Sequence, residues 1–156
     1  MNNPVKFCMN TKLMMLMISG CPAARPEDVA GIRSACLPGC SESPNCVSSE
    51  AHDRMHNIDV FHLKGDFSKN WIEIQGIVAS LPRSILVRAD ETYIHAIFKS
   101  RIFRFTDDLE LLLNPLSGII SIRAAAKSGY WDLGVNRSRV EKLRDKLQSQ
   151  DLIRQP

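Results

Sequence analysis

Two arginines and an asparagine near the C-terminal end of the chain carry its clearest chemical signal. Asn136, Arg137 and Arg139 fall in the first turn of a predicted last helix, and Asp132 precedes them. Free backbone amides and the helix dipole already favour anions at such a position, so cations there need a negative partner. That partner could be Asp132, an internal carboxylate or a bound anionic ligand. The pattern therefore predicts either an internal Asp–Arg contact or a small-anion site.

Two adjacent carboxylates, Asp107 and Asp108, do not form a catalytic dyad, because neighbouring residues on a strand point to opposite faces. The alternation of the strand places Asp107 on the apolar face. A lone carboxylate there needs either a partner or a bulge that turns it outward. We predict that Arg137 is the cation that meets it. Asp108 lies on the polar face, where the expected hairpin register makes Arg123 its neighbour.

Three cysteines, Cys36, Cys40 and Cys46, lie in a short segment that is dense in Pro, Gly and Ser. In an oxidising compartment such a segment is expected to form one disulfide. We predict the pairing of Cys40 with Cys46, which closes a small loop around residues 43–45. Cys36 would then be free or would compete for either partner.

The same cysteines allow two other interpretations. Cys36, Cys40 and Cys46 could supply zinc ligands together with His52 and His56. Their spacing, Cys-x3-Cys-x5-Cys, lacks a Cys-x2-Cys pair, so this is the weaker interpretation. Cys46 could alternatively be a nucleophile with His56 as its base, but Cys–His catalysis is a spatial arrangement that spacing does not show. We predict no resident metal and no cofactor.

The N-terminus is typical of an exported bacterial lipoprotein. Lys6 and Lys12 precede a short apolar run at residues 13–18, which is too short to cross a membrane and ends at Ser-Gly-Cys21. We predict a signal peptide over residues 1–20, a lipid anchor on Cys21 and a tether over residues 21–36. The protein would then lie on the periplasmic side of the cell envelope, on the inner or the outer membrane.

The rest of the chain, residues 37–150, is predicted to form one α+β domain. Apolar residues at three- and four-residue spacing indicate a helix over 68–81. Four strand-like runs follow, the last two joined by a turn at 114–118, and a final helix begins at Asn136, which would cap it. This order predicts a four-stranded antiparallel meander with both helices on one face. An irregular Cys-containing segment precedes this two-layer domain.

Four short motifs resemble those of a known family. They are Ser43-Pro-Asn-Cys-Val-Ser-Ser49, Phe105-Thr-Asp-Asp108, Arg123-Ala-Ala-Ala-Lys-Ser-Gly129 and Asp132-Leu-Gly-Val-Asn-Arg137. In this order they look like the signature of the domain of unknown function 1499, a bacterial and plastid family with no assigned activity. The resemblance covers residues 37 to 148. It implies a fold and a set of positions, and no chemistry.

The sequence favours binding over catalysis, because no nucleophile, base and oxyanion donors are visible as a set. We predict a non-catalytic binding or envelope-maintenance module that contacts an unknown envelope protein or small ligand. One alternative is an envelope hydrolase that uses Cys46 or the Asp107/Arg137 region. Another is a small-anion or lipid-headgroup binder through Arg137 and Arg139. The candidate ligand-binding residues are Asp107, Arg123, Asp132, Asn136, Arg137 and Arg139.

The charge of the chain limits the class of partner that it can bind. A net charge of +3 without a polybasic run argues against nucleic acid. An enzyme should bring its polar residues together in one pocket. A binding module should instead expose an apolar or basic patch while the same polar residues pair internally.

Overall fold

The computed structural model describes residues 36–99 and 105–155. The predicted signal peptide over residues 1–20, the predicted anchor at Cys21 and all of the tether except Cys36 lie outside the described residues. Within the described ranges, no helix is both long enough and apolar enough to cross a membrane.

The chain forms six strands and two helices, all in one α+β arrangement. The elements are β1 (Cys46–Ser48), β2 (Phe61–His62), α1 (Phe67–Ser80), β3 (Ser84–Ala89), β4 (Tyr93–Lys99), β5 (Thr106–Asn114), β6 (Ile119–Ala126) and α2 (Val135–Ser149). All pairings between strands are antiparallel, and β3 to β6 form the predicted meander. The α+β prediction is therefore confirmed, but the sheet has six strands and not four.

The two additional strands, β1 and β2, lie one after the other along the outer edge of β6. β1 pairs with residues 123–125 and β2 with residues 119–120. Ser49 continues the hydrogen bonding between them, because its amide donates to the Ile122 carbonyl and its hydroxyl accepts from the Ile122 amide, each at 2.8 Å. Strands of two or three residues are too short to show an alternating pattern, so the sequence did not show that these two segments join the sheet.

Both helices pack on the same face of the sheet, and their apolar spacing was predicted correctly. α1 buries Trp71 and Ile74, and α2 buries Leu143 and Leu147. These side chains join the alternating buried residues of β4, β5 and β6 in one hydrophobic core. The opposite face of the sheet, which we call the open face, has no helix on it within the described ranges and carries the polar members of the same alternation.

The β5–β6 hairpin has a longer turn than the predicted register required. Four residues, 115–118, connect Asn114 to Ile119, and the Gly118 amide donates 2.9 Å to the Asn114 carbonyl. Arg123 consequently lies opposite Glu110, and the prediction that Asp108 would be its neighbour was wrong. The difference is two residues along one strand, so every side chain stays on its predicted face.

Candidate functional site

Asp107 lies on the buried face of β5, and only 6% of the residue is exposed. Its Oδ2 accepts a hydrogen bond of 2.7 Å from Nη2 of Arg139. The guanidinium of Arg139 also lies 4.6 Å from the centre of the Phe98 ring. A lone carboxylate would be strongly disfavoured at this position, so pairing with a cation is what permits its burial.

The cation that meets Asp107 is thus Arg139, and the prediction of Arg137 was wrong. On α2, the side of the helix that faces the sheet carries Val140, and Arg139 adjoins it. Arg137 points elsewhere, and its Nη2 donates a hydrogen bond of 2.8 Å to the backbone carbonyl of Met55. The two arginines are two residues apart but belong to different surroundings.

Asn136 is fully buried, and the prediction that it caps α2 was wrong. The N-cap residue is Gly134, with φ 75°. The carboxylate of Asp132 accepts hydrogen bonds of 2.9 Å from the amides of Gly134 and Asn136, and so places its charge where the helix dipole favours it. The side chain of Asn136 instead donates 3.0 Å to the carbonyl of Asn45 and accepts from Arg139.

Asn45, just before β1, completes the connection between these elements. It is buried, and its carbonyl accepts from the Ala126 amide at 3.0 Å as well as from Asn136. Its side-chain amide donates to the Gly129 carbonyl, and its side-chain oxygen accepts 2.8 Å from the Ser43 hydroxyl. We call the connected set of Asn45, Asp107, Gly129, Asn136 and Arg139 the clasp.

Each of the four family-like motifs contributes one residue to the clasp. Asn45 comes from the motif at 43–49, Asp107 from 105–108, Gly129 from 123–129 and Asn136 from 132–137. Its longest connection joins residues 91 positions apart in the sequence. The motifs therefore meet in space, and there they hold the N-terminal segment, the sheet and α2 together.

Arg123 belongs to a separate polar group on the open face of the sheet. Its Nη1 donates 2.8 Å to one carboxylate oxygen of Glu110, and the hydroxyl of Tyr93 donates 2.6 Å to the other. The Nε of Arg123 is buried, and no partner for it lies within residues 36–99 and 105–155. Burial, and next the hydrogen bond to Glu110, raise the pKa of Tyr93 above its usual range.

We expect Tyr93 to ionise at a higher pH than free tyrosine, whose pKa is about 10. The chain has two tyrosines, so the tyrosinate absorbance of a Tyr130→Phe variant reports Tyr93 alone. Because the raised pKa favours the neutral form in the folded state, its stabilising contribution is complete below about pH 10 and is lost as the pH rises through the folded-state pKa.

A second variant tests the cause of this shift. Glu110→Gln, added to Tyr130→Phe, removes the neighbouring charge and should move the titration of Tyr93 part of the way back toward the free value. The movement should be partial, because burial is the larger cause. A titration that did not respond to Glu110→Gln would contradict the role assigned to the carboxylate.

His95 on the open face was not among the predicted site residues. Its Nε2 lies 2.7 Å from Oδ1 of Asp108, and Nζ of Lys127 lies 3.4 Å from the same oxygen. Histidine–carboxylate pairs serve catalysis when the ring also meets a hydroxyl or thiol nucleophile. Among the residues that the structure describes, the contact found for His95 is to a carboxylate alone, so this pair resembles a cross-strand charge contact. Its signal in the sequence was the polar alternation of β4 against that of β5.

Cys40 and Cys46 form the predicted disulfide, with their Cα atoms 5.6 Å apart. Cys46 therefore has no thiolate to act as a nucleophile or as a zinc ligand. Cys36 is disulfide-bonded as well, so the expectation of a free Cys36 was wrong. His52 is exposed at the surface. In the part of the chain that the structure describes, no three His, Cys, Asp or Glu residues are grouped to hold a metal ion.

His56, the other histidine of the zinc interpretation, connects two turns. Its Nδ1 lies 2.9 Å from the carboxylate of Asp53, and its Nε2 lies 3.1 Å from the carbonyl of Ser43. The side-chain hydrogen bond with His56 lowers the pKa of Asp53 below its usual value. Both ring nitrogens are thus used inside the chain, next to the disulfide loop.

The loop between β6 and α2, together with the first residue of α2, exposes large apolar side chains. Tyr130 and Trp131 are each 72% exposed, Leu133 is 84% exposed, and Val135 is 47% exposed. Leu133 also has φ 56°, a left-handed conformation that is rare for a bulky residue. We call residues 130–135 the apolar loop. Four large apolar residues in six positions, in a stretch interrupted by Asp132 and Gly134, were the sequence signal for it.

Residues 36–147 match the family described as "Protein of unknown function (DUF1499)". Searches of curated proteins and of solved structures found no match. The matched range includes every residue of the clasp, the open-face polar group and the apolar loop, and it spans more than half of the chain. The chain therefore belongs to the DUF1499 family, as its four motifs had indicated.

Proposed function

We propose that the protein is a non-catalytic binding module that presents the apolar loop to a partner in the bacterial cell envelope. We further propose, from the N-terminal sequence, that it is exported and held on the periplasmic side by lipid on Cys21. Because Cys40 and Cys46 bond to each other, this maturation requires that the disulfide of Cys36 be reduced or exchanged. The observation that carries the binding function is a division of roles. Charged candidates such as Asp107 and Arg139 bond to each other inside the fold, whereas Trp131 and Leu133 lie in solvent.

Both ends of the apolar loop are fixed to the body of the protein. At its start, the carbonyl of Gly129 accepts a hydrogen bond from the buried Asn45. Toward its other end, Asp132 accepts hydrogen bonds from the amides of the N-cap Gly134 and of Asn136 in α2. A loop that is fixed in this way loses little conformational entropy when it binds, which favours affinity. The left-handed Leu133 supports the same view, because such strain often marks a site of recognition.

The alternative of an envelope hydrolase finds less support in the geometry. The sulfur of Cys46 is bonded to that of Cys40. Asp107 lies beneath α2 and is bonded to Arg139, so a substrate would reach it only if the helix moved. Arg137 is on another side of the helix, so the predicted Asp107/Arg137 pair does not form a common site.

A small-anion or lipid-headgroup role would depend on Arg137 rather than on Arg139. One nitrogen of Arg137 bonds to a carbonyl near the surface, which leaves its charge unneutralised by that contact. The charge of Arg139 is already opposed by the Asp107 carboxylate. This alternative is compatible with the apolar loop, because Arg137 follows it directly on α2.

Photocrosslinking in cells tests the binding function. A photoreactive amino acid at position 131 should give discrete adducts, whether with protein or with lipid. The matched control is position 116, because Leu116 is also an exposed apolar residue but lies at the opposite end of the β5–β6 hairpin. Adduct formation at position 131 that does not exceed the level at position 116 would refute the proposal.

A further inference from the structure

We propose that the partner of the apolar loop is a lipid bilayer, and that Trp131 and Leu133 insert into its interface. This inference deepens the binding function proposed above and rests on it. Tryptophan and tyrosine favour the boundary between headgroups and acyl chains, where the ring is in an apolar environment and its polar group stays hydrated. Tyr130 and Trp131 supply that chemistry, and Leu133 and Val135 add aliphatic surface for the acyl region.

Two arginines lie on the same side of the protein as the apolar loop. Asp132 is the one acidic residue within it, and both carboxylate oxygens accept amide hydrogen bonds from the start of α2. Arg137 follows the loop and bonds to the carbonyl of Met55, which brings the exposed Arg54 to the same side of the protein. The acidic Glu42 and Asp53 lie beside Met55 as well, so the attraction to headgroups comes from the two guanidinium groups and not from a net positive surface. Basic residues beside an apolar insertion are attracted to anionic phospholipid headgroups.

The predicted anchor would leave the protein on this same side. Cys40, Met55 and His56 line one shallow depression, so Cys40, four residues after the first described residue, lies near the contact between Arg137 and Met55. The 15 residues from Cys21 to Cys36 could extend about 50 Å. A lipid on Cys21 and the apolar loop could therefore reach one bilayer at once. Two weak attachments of this kind strengthen each other, because the first raises the effective concentration of the second.

The tryptophans of the chain allow a direct test. There are two, and Trp71 is buried with its indole N–H donating 2.8 Å to the Asp90 carbonyl, whereas Trp131 is exposed. The full, unlipidated chain is mixed with vesicles of phosphatidylglycerol and phosphatidylcholine. We expect the Trp131 emission to shift to shorter wavelength and to be quenched by brominated acyl chains, while Trp71 contributes a constant background.

Matched variants distinguish insertion of the apolar loop from nonspecific adsorption to vesicles. Leu133→Ser should weaken vesicle binding by about tenfold or more, because it removes an aliphatic side chain that insertion would bury. Leu116→Ser, at the other end of the hairpin, should leave vesicle binding unchanged. Both positions are exposed, so both variants should keep the unfolding midpoint of the parent protein.

Several outcomes would overturn the inference. Emission and quenching that did not respond to vesicles would do so, as would equal effects of Leu133→Ser and Leu116→Ser. The crosslinks at position 131 then show whether the proposed binding function still holds without the bilayer as partner. Protein adducts without vesicle binding would keep the binding function and remove the bilayer as partner. A lack of both adducts and vesicle binding would remove both proposals.

Discussion

Replacing Arg139 by methionine should lower the free energy of unfolding by about 3–5 kcal/mol, because it leaves the buried Asp107 carboxylate without its cation. The side chains of Arg139 and Asp107 are 15% and 8% exposed, so water cannot replace the lost contact fully. The substitution also removes the hydrogen bond to Asn136 and the cation–π contact with Phe98. Equilibrium denaturation by urea measures the loss.

Arg137→Met is the control for this prediction. It removes the same charge two residues away, but from a site where the contact is to a surface carbonyl, and should change stability by no more than about 0.5 kcal/mol. The double variant Asp107→Leu, Arg139→Met should recover most of the loss, because removing both charges avoids a lone buried one. Equal losses from Arg137→Met and Arg139→Met would show that the pairing with Asp107 is misassigned.

Gly118→Ala should lower the free energy of unfolding by about 2–4 kcal/mol, for two separate reasons. Gly118 has φ 69°, a conformation in which an alanine is strained by about 1 kcal/mol. An added Cβ would also lie 2.7 Å and 2.8 Å from Cε1 and Cε2 of Phe67. The Phe67 ring packs against the core, so it cannot move away without a further cost of about 1–3 kcal/mol.

Gly65→Ala separates the two contributions. Gly65 also has positive φ, at 57°, but the nearest atom to its added Cβ is Nδ2 of Asn70 at 3.6 Å, an ordinary contact. It should show the backbone strain alone. Phe67→Leu in the Gly118→Ala background should restore part of the stability, since it removes the crowding. If Gly118→Ala and Gly65→Ala proved equally costly in urea denaturation, contact with the Phe67 ring would contribute nothing.

The elements that were predicted correctly are those in which a local pattern repeats often enough to be recognised. The helix containing Trp71 and Ile74 repeats its apolar spacing over three turns, and β5 alternates over nine residues. β1 and β2 exist because β6 offers them an edge, and that edge is more than fifty residues away from either strand. Nothing within two or three residues can indicate such a partner.

Most residues of the candidate site were named correctly from the sequence, but the contacts between them were not. Asp107 had to be paired because of its face, but the choice between Arg137 and Arg139 depends on how α2 is rotated against the sheet. That rotation is fixed by the buried Asn136, whose partner Asn45 is distant in sequence. One further error, the neighbour of Arg123, arose from the length of a single turn.

The contacts of Asn45 have a consequence for the order in which the nascent chain can fold. They join residues 84 and 91 positions apart, and closing so large a loop is slow compared with forming the β3–β6 meander, whose neighbours are adjacent in sequence. When the chain emerges with its N-terminus first, β1 and β2 have no strand to pair with until β6 has emerged. Cys40 and Cys46 are six residues apart and can join long before that. The Cys40–Cys46 disulfide can therefore form before the segment that contains it has a strand to pair with.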